Sequence, residues 1–186
     1  LVARVTDATA KRRAERRVVE LSRVNEVIRE VLTVLVRARS HEQIHEEVTE
    51  TLVATEAYDG ALFGRRTAAG VERLAVAGSV SESVLAAARA GNGDGSVAVT
   101  TTAGHGVDQR SIVVPVTDDG LVLVLVTDRP EAFAETEREV VEELGETVQY
   151  SLEAVTTRET LERREASLQE KTERLSTFAS VVGHDL

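Results

Sequence analysis

Six consecutive apolar residues, Leu121 to Val126, directly follow the dipeptide Asp119-Gly120. A strand without polar alternation is covered on both of its faces. Asp-Gly between this run and the β-branched run from Ser111 to Val116 predicts a hairpin in which both turn residues have positive φ. The chain is therefore expected to fold around a sheet with helices on one face and with helices or a lid on the other.

The segments on either side of the predicted sheet have a helical hydrophobic period. A first helix is predicted over 8–39, and its apolar residues alternate spacings of three and four, which is typical of a heptad seam that needs a partner helix. The members of this seam are Leu21, Val24, Ile28, Val31 and Leu35. A second helix is predicted to begin at Ser40, which forms a capping box with Gln43.

The middle of the chain alternates short apolar runs with turn residues, which is typical of strands. Strands are predicted over 61–65, 71–77, 96–100, 111–116 and 121–127, with a short helix over 81–90. A long helix is predicted from about Glu135 to the end, and leucines recur every seven residues in its second part, as in an imperfect coiled coil. These leucines are Leu161, Leu168 and Leu175. The predicted fold class is α+β.

The composition of the 186 residues excludes several classes of function. The formal net charge of -10 disfavours nucleic-acid and anionic-membrane partners. The absence of cysteine excludes disulfides, thiolate metal sites and thioether-linked chromophores. No apolar run is long enough to span a bilayer, so a cytoplasmic protein is expected. Only two lysines accompany the acidic excess, which resembles a haloarchaeal protein, with an ordinary acidic bacterial protein as the alternative. Because the first residue is Leu1, we expect a piece of a longer protein.

A metal-site motif occurs in the second predicted helix. His41 to His45 reads His-Glu-x-x-His, the pattern in which two histidines bind zinc and the glutamate activates water. No third ligand follows at a known spacing, and the helix stripe of Ile44, Val48 and Leu52 places both histidines near the packed face. Packed or partly exposed histidines are therefore favoured, and no metal is expected.

The final residues, Phe178-Ala179-Ser180-Val181-Val182-Gly183-His184-Asp185-Leu186, resemble the H-box of sensor histidine kinases. The resemblance implies that His184 is the phosphoacceptor and that Asp185 is the acid that orients it. A neutral imidazole beside a carboxylate is chemically suited to attack a γ-phosphate. It also implies ATP and Mg²⁺ on a kinase domain of the parent protein, a response regulator as a further partner, and no cofactor in this segment.

The region from about 24 to 156 resembles a GAF domain, through "ALFG", "ERLAVAG" and "SIVVPVTDDGLVLVLVTDRPEAF". The resemblance implies an antiparallel sheet of about five or six strands flanked by long N- and C-terminal signalling helices. It implies an unidentified small ligand, with Phe63, His105 and Arg110 as candidate contacts, and the missing cysteine excludes a covalent bilin. Residues 5–9, followed by Lys11-Arg12-Arg13, resemble the end of a PAS domain.

Together these features predict the sensory GAF segment of a sensor histidine kinase, with its helices paired in a parallel homodimer. The predicted parts are a PAS end (1–10), a signalling helix (11–39), the GAF domain (40–156), a coiled-coil linker (157–177) and the start of the phosphoacceptor domain (178–186). Three alternatives remain open at this point: the sensor module of a helix-turn-helix transcriptional regulator, a ligand-free dimerisation module, and a zinc hydrolase.

Overall fold

The computed structural model describes residues 24–68, 70–90, 96–103 and 108–184, and the side chains of the last helix as far as residue 175. The predicted PAS end lies outside these residues, as do His105 and Asp185. The first described helix, α1, covers residues 24–37. The other elements are α2 (His41–Ala54), β1 (Gly60–Thr67), β2 (Gly70–Gly78), α3 (Glu82–Ala90), β3 (Ala98–Ala103), β4 (Asp108–Pro115), β5 (Leu121–Thr127) and α4 (Glu135–His184).

The strands form one five-stranded sheet in the order β2-β1-β5-β4-β3, and each neighbouring pair is antiparallel. The predicted α+β fold with a sheet of about five strands is thus confirmed. The β5 strand is central because it pairs with β1 on one side and with β4 on the other. The register places Arg65 of β1 opposite Leu121 of β5, at the end of the sheet where the β4–β5 hairpin turns.

The expectation that the apolar run is covered on both faces is confirmed. All seven residues of β5 are buried. Its leucines, at 121, 123 and 125, belong to a large hydrophobic cluster that includes residues of α1, α2 and α4. Its valines, at 122, 124 and 126, belong to a second cluster with α3. Strand alternation therefore divides one continuous apolar run between two cores.

Two local turn predictions are only half right. Ser40 is the N-cap of α2 and its Oγ accepts a hydrogen bond from the Gln43 N–H at 3.1 Å, but Gln43 Oε1 accepts from the Arg39 N–H instead of from Ser40. The hairpin after β4 is present, yet only Gly120 has positive φ, at 93°, and Asp119 does not. The Gln43 side chain therefore caps one residue earlier than predicted, and the hairpin needs a positive φ at its glycine alone.

The buried face of α1 differs in part from the predicted seam. Val24, Val31 and Leu35 are buried as expected. At the remaining position the seam predicted a buried Ile28, but Val27, at 2% exposed, is buried instead. Ile28 is half-buried. The described part of α1 therefore packs on the core of its own chain, and its exposed side still carries Leu32 and Val36.

Helix α4 has two halves with different surroundings. In the packed half, the first apolar stripe is buried in the core shared with α1 and α2: Val141, Leu144, Val148, Leu152 and Val155. In the distal half, Leu161, Leu168 and Leu175 are exposed. Within the part of the chain that the structure describes, no helix has the length and apolar character needed to cross a bilayer.

A buried carboxylate anchors the start of α4. Glu137 is 9% exposed, and its Oε1 accepts from Arg129 Nη2 at 2.6 Å and from the Tyr58 hydroxyl at 3.4 Å. Its Oε2 accepts from the backbone N–H of Phe133 at 2.7 Å, where the chain turns with a positive φ of 59°. Burial, with Glu137 beside it, raises the pKa of Tyr58. The arrangement fixes α4 to both β5 and the segment before β1.

Candidate functional site

The sheet face beneath α3 is the first candidate for ligand binding. Ser111 lies there, because it is opposite Val126 in the sheet and Val126 belongs to the α3 cluster. Its side chain is fully buried, and Oγ has no hydrogen-bond partner among the described residues. A buried hydroxyl without a partner is uncommon in a folded core. This face therefore offers the Ser111 hydroxyl to a ligand, beside the apolar side chains of the α3 cluster and the guanidinium of Arg66, whose Nε donates to the Ala88 carbonyl oxygen.

Neither of the two described residues predicted to contact a ligand lies on that face. Phe63 is fully buried in the core on the opposite side of the sheet, where its ring lies 5.0 Å from the ring of His45. Arg110 is half-buried, and its Nη1 donates to the carbonyl oxygen of Pro130 at 2.6 Å. His105 lies outside the described residues. A shared role for these three in binding a ligand stays a prediction.

A second candidate is a cleft of about 390 Å³ on the helical side of the sheet, which we call the α2–α4 cleft. It lies between the first turns of α2, the end of β1, the β4–β5 hairpin and the end of the packed half of α4. Its walls include both apolar and polar side chains. The lining residues are His41, His45, Arg65, Thr117, Asp119, Leu121, Leu152, Glu153, Thr156 and Thr157.

The two histidines of the His-Glu-x-x-His motif have different environments in this cleft. His41 is exposed, and its Nε2 lies 3.0 Å from the Leu152 carbonyl oxygen and 2.9 Å from Thr156 Oγ1, which joins α2 to α4. His45 is 8% exposed, and its Nε2 has no partner among the described residues. The two ring centroids are 6.4 Å apart. His41 thus links α2 to α4 through hydrogen-bond contacts, while His45 has an unsatisfied polar atom.

The charge state of His45 follows from its surroundings. Burial, followed by the charges of His41 and Arg65, lowers the pKa of His45 to about 4. His45 is therefore neutral near pH 7. Across the cleft, Arg65 Nη1 pairs with Asp119 Oδ2, and Thr117 Oγ1 donates to Asp119 Oδ1. The Thr117 bond and then the contact with Arg65 lower the pKa of Asp119, so this carboxylate stays ionised.

The described residues of the cleft do not form the arrangement of a metal centre. Within the described residues no group of three histidine, cysteine, aspartate or glutamate side chains could hold a metal ion. His41 already uses Nε2 in its contact with α4. The motif therefore contributes polar groups to a cleft, and these residues give the zinc-hydrolase alternative no support.

The cleft was missed in the sequence because its parts are far apart in the chain. Arg65 and Asp119 are brought together by the pairing of β1 with β5, whose register ends at Arg65 and Leu121. The histidine pair was the available signal, but it gave no indication of which strand end would face it. The predicted phosphoacceptor, His184, is the last residue of α4, and its side chain lies outside the description.

Comparison with solved structures gives the fold. Over 82% of this chain and 99% of the other, it is similar to the GAF domain of a protein assigned as a sensor histidine kinase from Pseudomonas syringae pv. tomato, with 20% identity and a TM-score of 0.52. The chain has a GAF fold. The GAF domain of a phosphoenolpyruvate-protein phosphotransferase from Coxiella burnetii gives a TM-score of 0.57 at 13% identity, covering 75% of this chain and 98% of that one.

The same GAF fold also occurs in an enzyme. Free methionine-R-sulfoxide reductase from Neisseria meningitidis, solved with its substrate, matches with a TM-score of 0.56 at 15% identity, over 72% of this chain and 90% of that one. No family model matches the sequence, and no curated protein matches it. At these identities the similarity shows the GAF fold alone, and the function has to be inferred from the residues of this chain.

Proposed function

We propose that this chain is the sensory GAF segment of a sensor histidine kinase, in which α4 relays a change in the GAF core to the phosphoacceptor His184. The single observation that carries the proposal is the continuity of α4. One uninterrupted helix begins at Glu135 on the core and ends at His184. The 30 residues from Val155 to His184 span about 44 Å, at a rise of 1.5 Å for each step along the helix. A displacement at the sheet can therefore reach the histidine through one continuous helix.

The chemistry proposed for the end of α4 rests on two neighbouring residues. His184 supplies an imidazole nitrogen that attacks the γ-phosphorus of ATP held by a kinase domain, and ADP leaves. Asp185 orients the ring and helps to accept its proton. The likeness to the GAF domain of an assigned sensor histidine kinase is in keeping with this role.

The signal is proposed to enter on the α3 face. The buried Oγ of Ser111 would bind the polar group of a small ligand, and the valines of β5 would contact its apolar part. A ligand there would press on β5, whose other face packs with α4 in the larger core. The sheet would thus transmit the presence of a ligand from one core to the other.

A phosphorylation experiment tests the role of His184. The chain is extended through a dimerisation and phosphotransfer domain and incubated with ATP and a histidine kinase catalytic domain. Acid-labile phosphate should appear on the chain, be lost in His184→Gln and remain in the control Gln169→Ala, a change at an exposed position of the same helix. Label that persists in His184→Gln, or that resists acid, overturns the assignment.

The relay through α4 is tested separately by helix insertions in the exposed distal half. Three extra residues after Arg164 shift the faces of the helix, whereas seven extra residues retain the heptad register. The rate of phosphorylation should change strongly with three and little with seven. Equal rates for both insertions would exclude a relay that depends on the orientation of α4.

A further inference from the structure

The α2–α4 cleft contains a buried polar atom that nothing in the described chain satisfies. His45 lines this cleft with a side chain that is only 8% exposed, and its Nε2 has no hydrogen-bond partner among the described residues. Leaving such an atom unpaired is unfavourable, because it has lost its hydrogen bonds to water and gained none in the fold. The rim, in contrast, is open, since Asp119, Glu153 and Thr157 are exposed. The cleft thus leads from solvent to the side chain of a histidine whose buried Nε2 is unpaired.

We propose that the α2–α4 cleft binds a small carboxylate that carries an apolar body, with Arg65 and the Nε2–H of His45 as the groups that hold the carboxylate. Arg65 gives Nη1 to Asp119, and a guanidinium has five N–H donors arranged to bind carboxylates in pairs. Leu121 and Leu152 provide an apolar wall, and both are buried.

The charges next to His45 disfavour a metal cation, while the exposed rim of the cleft carries the carboxylates of Asp119 and Glu153. Arg65 and His41 both disfavour a further positive charge at His45. A carboxylate placed between Arg65 and His45 would instead be attracted by Arg65 and would restore the missing hydrogen bond. The described residues offer no third ligand for a metal, as noted above.

The size of the cleft excludes an ion as small as formate from filling it. About 390 Å³ is more than ten times the roughly 30 Å³ that one water molecule occupies in the liquid. The volume is in the usual range for small-molecule sites. An aromatic or branched aliphatic acid would place its carboxylate at the floor and its apolar body between the imidazoles and the leucines.

The position of this site gives a bound ligand direct contact with the helix proposed to carry the signal. His41, Leu152 and Thr156 belong to its walls and also join α2 to α4. A ligand would add contacts on both sides of that junction and so stabilise the packed position of α4. The site lies on the face of the sheet opposite α3 and goes beyond the proposed function, because it needs neither a ligand at Ser111 nor phosphorylation at His184.

The test uses the full chain with benzoate as the probe and benzamide as its uncharged counterpart. The imidazole Cε1–H signals are followed by NMR, and His45 is assigned with His45→Gln. Benzoate should shift the His45 signal saturably at millimolar concentration, raise the thermal midpoint of unfolding by mass action, and raise the pKa of His45. Benzamide should do none of these.

Two arginine variants decide whether the carboxylate binds where we propose. Arg65 and Arg73 are both half-exposed strand residues that pair with one acidic side chain, Asp119 and Glu82 respectively. Only Arg65 lines the cleft. Arg65→Gln should weaken benzoate binding by about tenfold to a hundredfold, the loss expected for a charge-assisted hydrogen bond, and Arg73→Gln should leave it unchanged.

Three results would overturn the proposal. A cleft that holds only water would give no saturable shift with benzoate. Equal binding of benzamide would show that the charge is not recognised, and equal losses in Arg65→Gln and Arg73→Gln would show a general charge effect. None of these outcomes bears on the phosphorylation experiment, so the two proposals fail independently.

Discussion

The two halves of α4 both carry an apolar stripe, with spacings of three and four in the packed half and of seven in the distal half, but their environments are opposite. The packed half places residues such as Leu144 and Val148 in the core, at 4% and 0% exposed, while Leu168 in the distal half is 63% exposed. The helix is continuous across this boundary. Backbone hydrogen bonding alone does not account for the stability of α4, because a helix in water is stabilised mostly by tertiary packing. The distal half is expected to depend on a partner that the packed half does not need.

The largest expected difference comes from shortening one leucine in each half. Leu144→Ala leaves a cavity in the main core and should lower the free energy of unfolding by about 2–5 kcal/mol. Leu168→Ala removes an exposed side chain and should cost under about 0.5 kcal/mol. Urea unfolding followed by circular dichroism, at a concentration where the chain is monomeric, measures both. Equal costs would mean that the distal half is part of the core even in one chain.

Two glutamates of the packed half extend the comparison to charges. Glu137→Gln weakens the acceptor for Arg129, the Phe133 N–H and Tyr58, and should cost about 3 kcal/mol because Arg129 is left partly buried without its counter-charge. Glu142→Gln removes only an exposed pair with Arg138 on the same helix and should cost under about 0.5 kcal/mol.

The unfolding midpoints of these two variants in urea provide the measurement. If the Glu142 variant is as unstable as the Glu137 variant, then loss of any negative charge from the first turns of α4 is the cause. In that case the buried network at Glu137 has no special role in anchoring the packed half.

The α2–α4 cleft, at the end of the packed half, should make the stability of the protein depend on pH. The unfolded chain protonates His45 near pH 6.5, but the folded chain does so only near pH 4. Between these values the unfolded state binds more protons, so stability is full above pH 6.5 and falls as the pH drops towards 4. The loss should be about 2–3 kcal/mol at pH 4 relative to pH 7.

A comparison with His45→Gln isolates this contribution from that of the carboxylates. Unfolding free energies are measured for both proteins at pH 7 and pH 4. The variant should lose less stability on acidification than the original chain, because the glutamine does not titrate. Parallel pH profiles for the two proteins would show that His45 is free to protonate in the folded state.

Close packing between the packed half of α4 and the sheet should give a smaller effect on stability. A Cβ at position 145 would lie 2.6 Å from Cγ1 of Val114 on β4. Alanine gains about 1 kcal/mol of helix propensity over glycine, but overpacking costs about 1–3 kcal/mol. Gly145→Ala should therefore destabilise the chain by about 1 kcal/mol in thermal unfolding. Combining it with Val114→Ala should remove the clash, and a Gly145→Ala chain that is more stable than the original would contradict this packing.

The elements most accurately predicted from sequence are those with strong local signals. β5 is predicted over its full range, and Ser40 is correctly identified as a helix cap, because apolar runs and caps depend on neighbouring residues. The buried face of α1 was harder to predict, since Val27 and Ile28 are equally apolar and only the core decides which is buried. A period of three or four residues leaves that choice open.

The candidate cleft depends on information that the local sequence does not contain. His41 and His45 stood out as a motif, but Arg65 and Asp119 join them only because β1 pairs with β5 rather than with β3 or β4. Strand order is decided by which apolar faces pack together across the whole chain. Each polar residue at a strand end can therefore be recognised in the sequence, but which of them lie close together in the fold cannot.

A charge placed among the exposed leucines of the distal half should change folding stability very little and association strongly. We propose that the exposed leucines of the distal half pair with a second copy of the chain in a parallel dimer, since a seven-residue spacing is typical of such a seam. Leu168→Asp should alter the unfolding free energy of the monomer by under about 0.5 kcal/mol but weaken dimerisation in sedimentation experiments. Tyr150→Asp is the control, because Tyr150 is equally exposed but lies in the packed half. If Tyr150→Asp disrupts the dimer and Leu168→Asp does not, the interface lies on the packed half and the comparison drawn between the two halves is reversed.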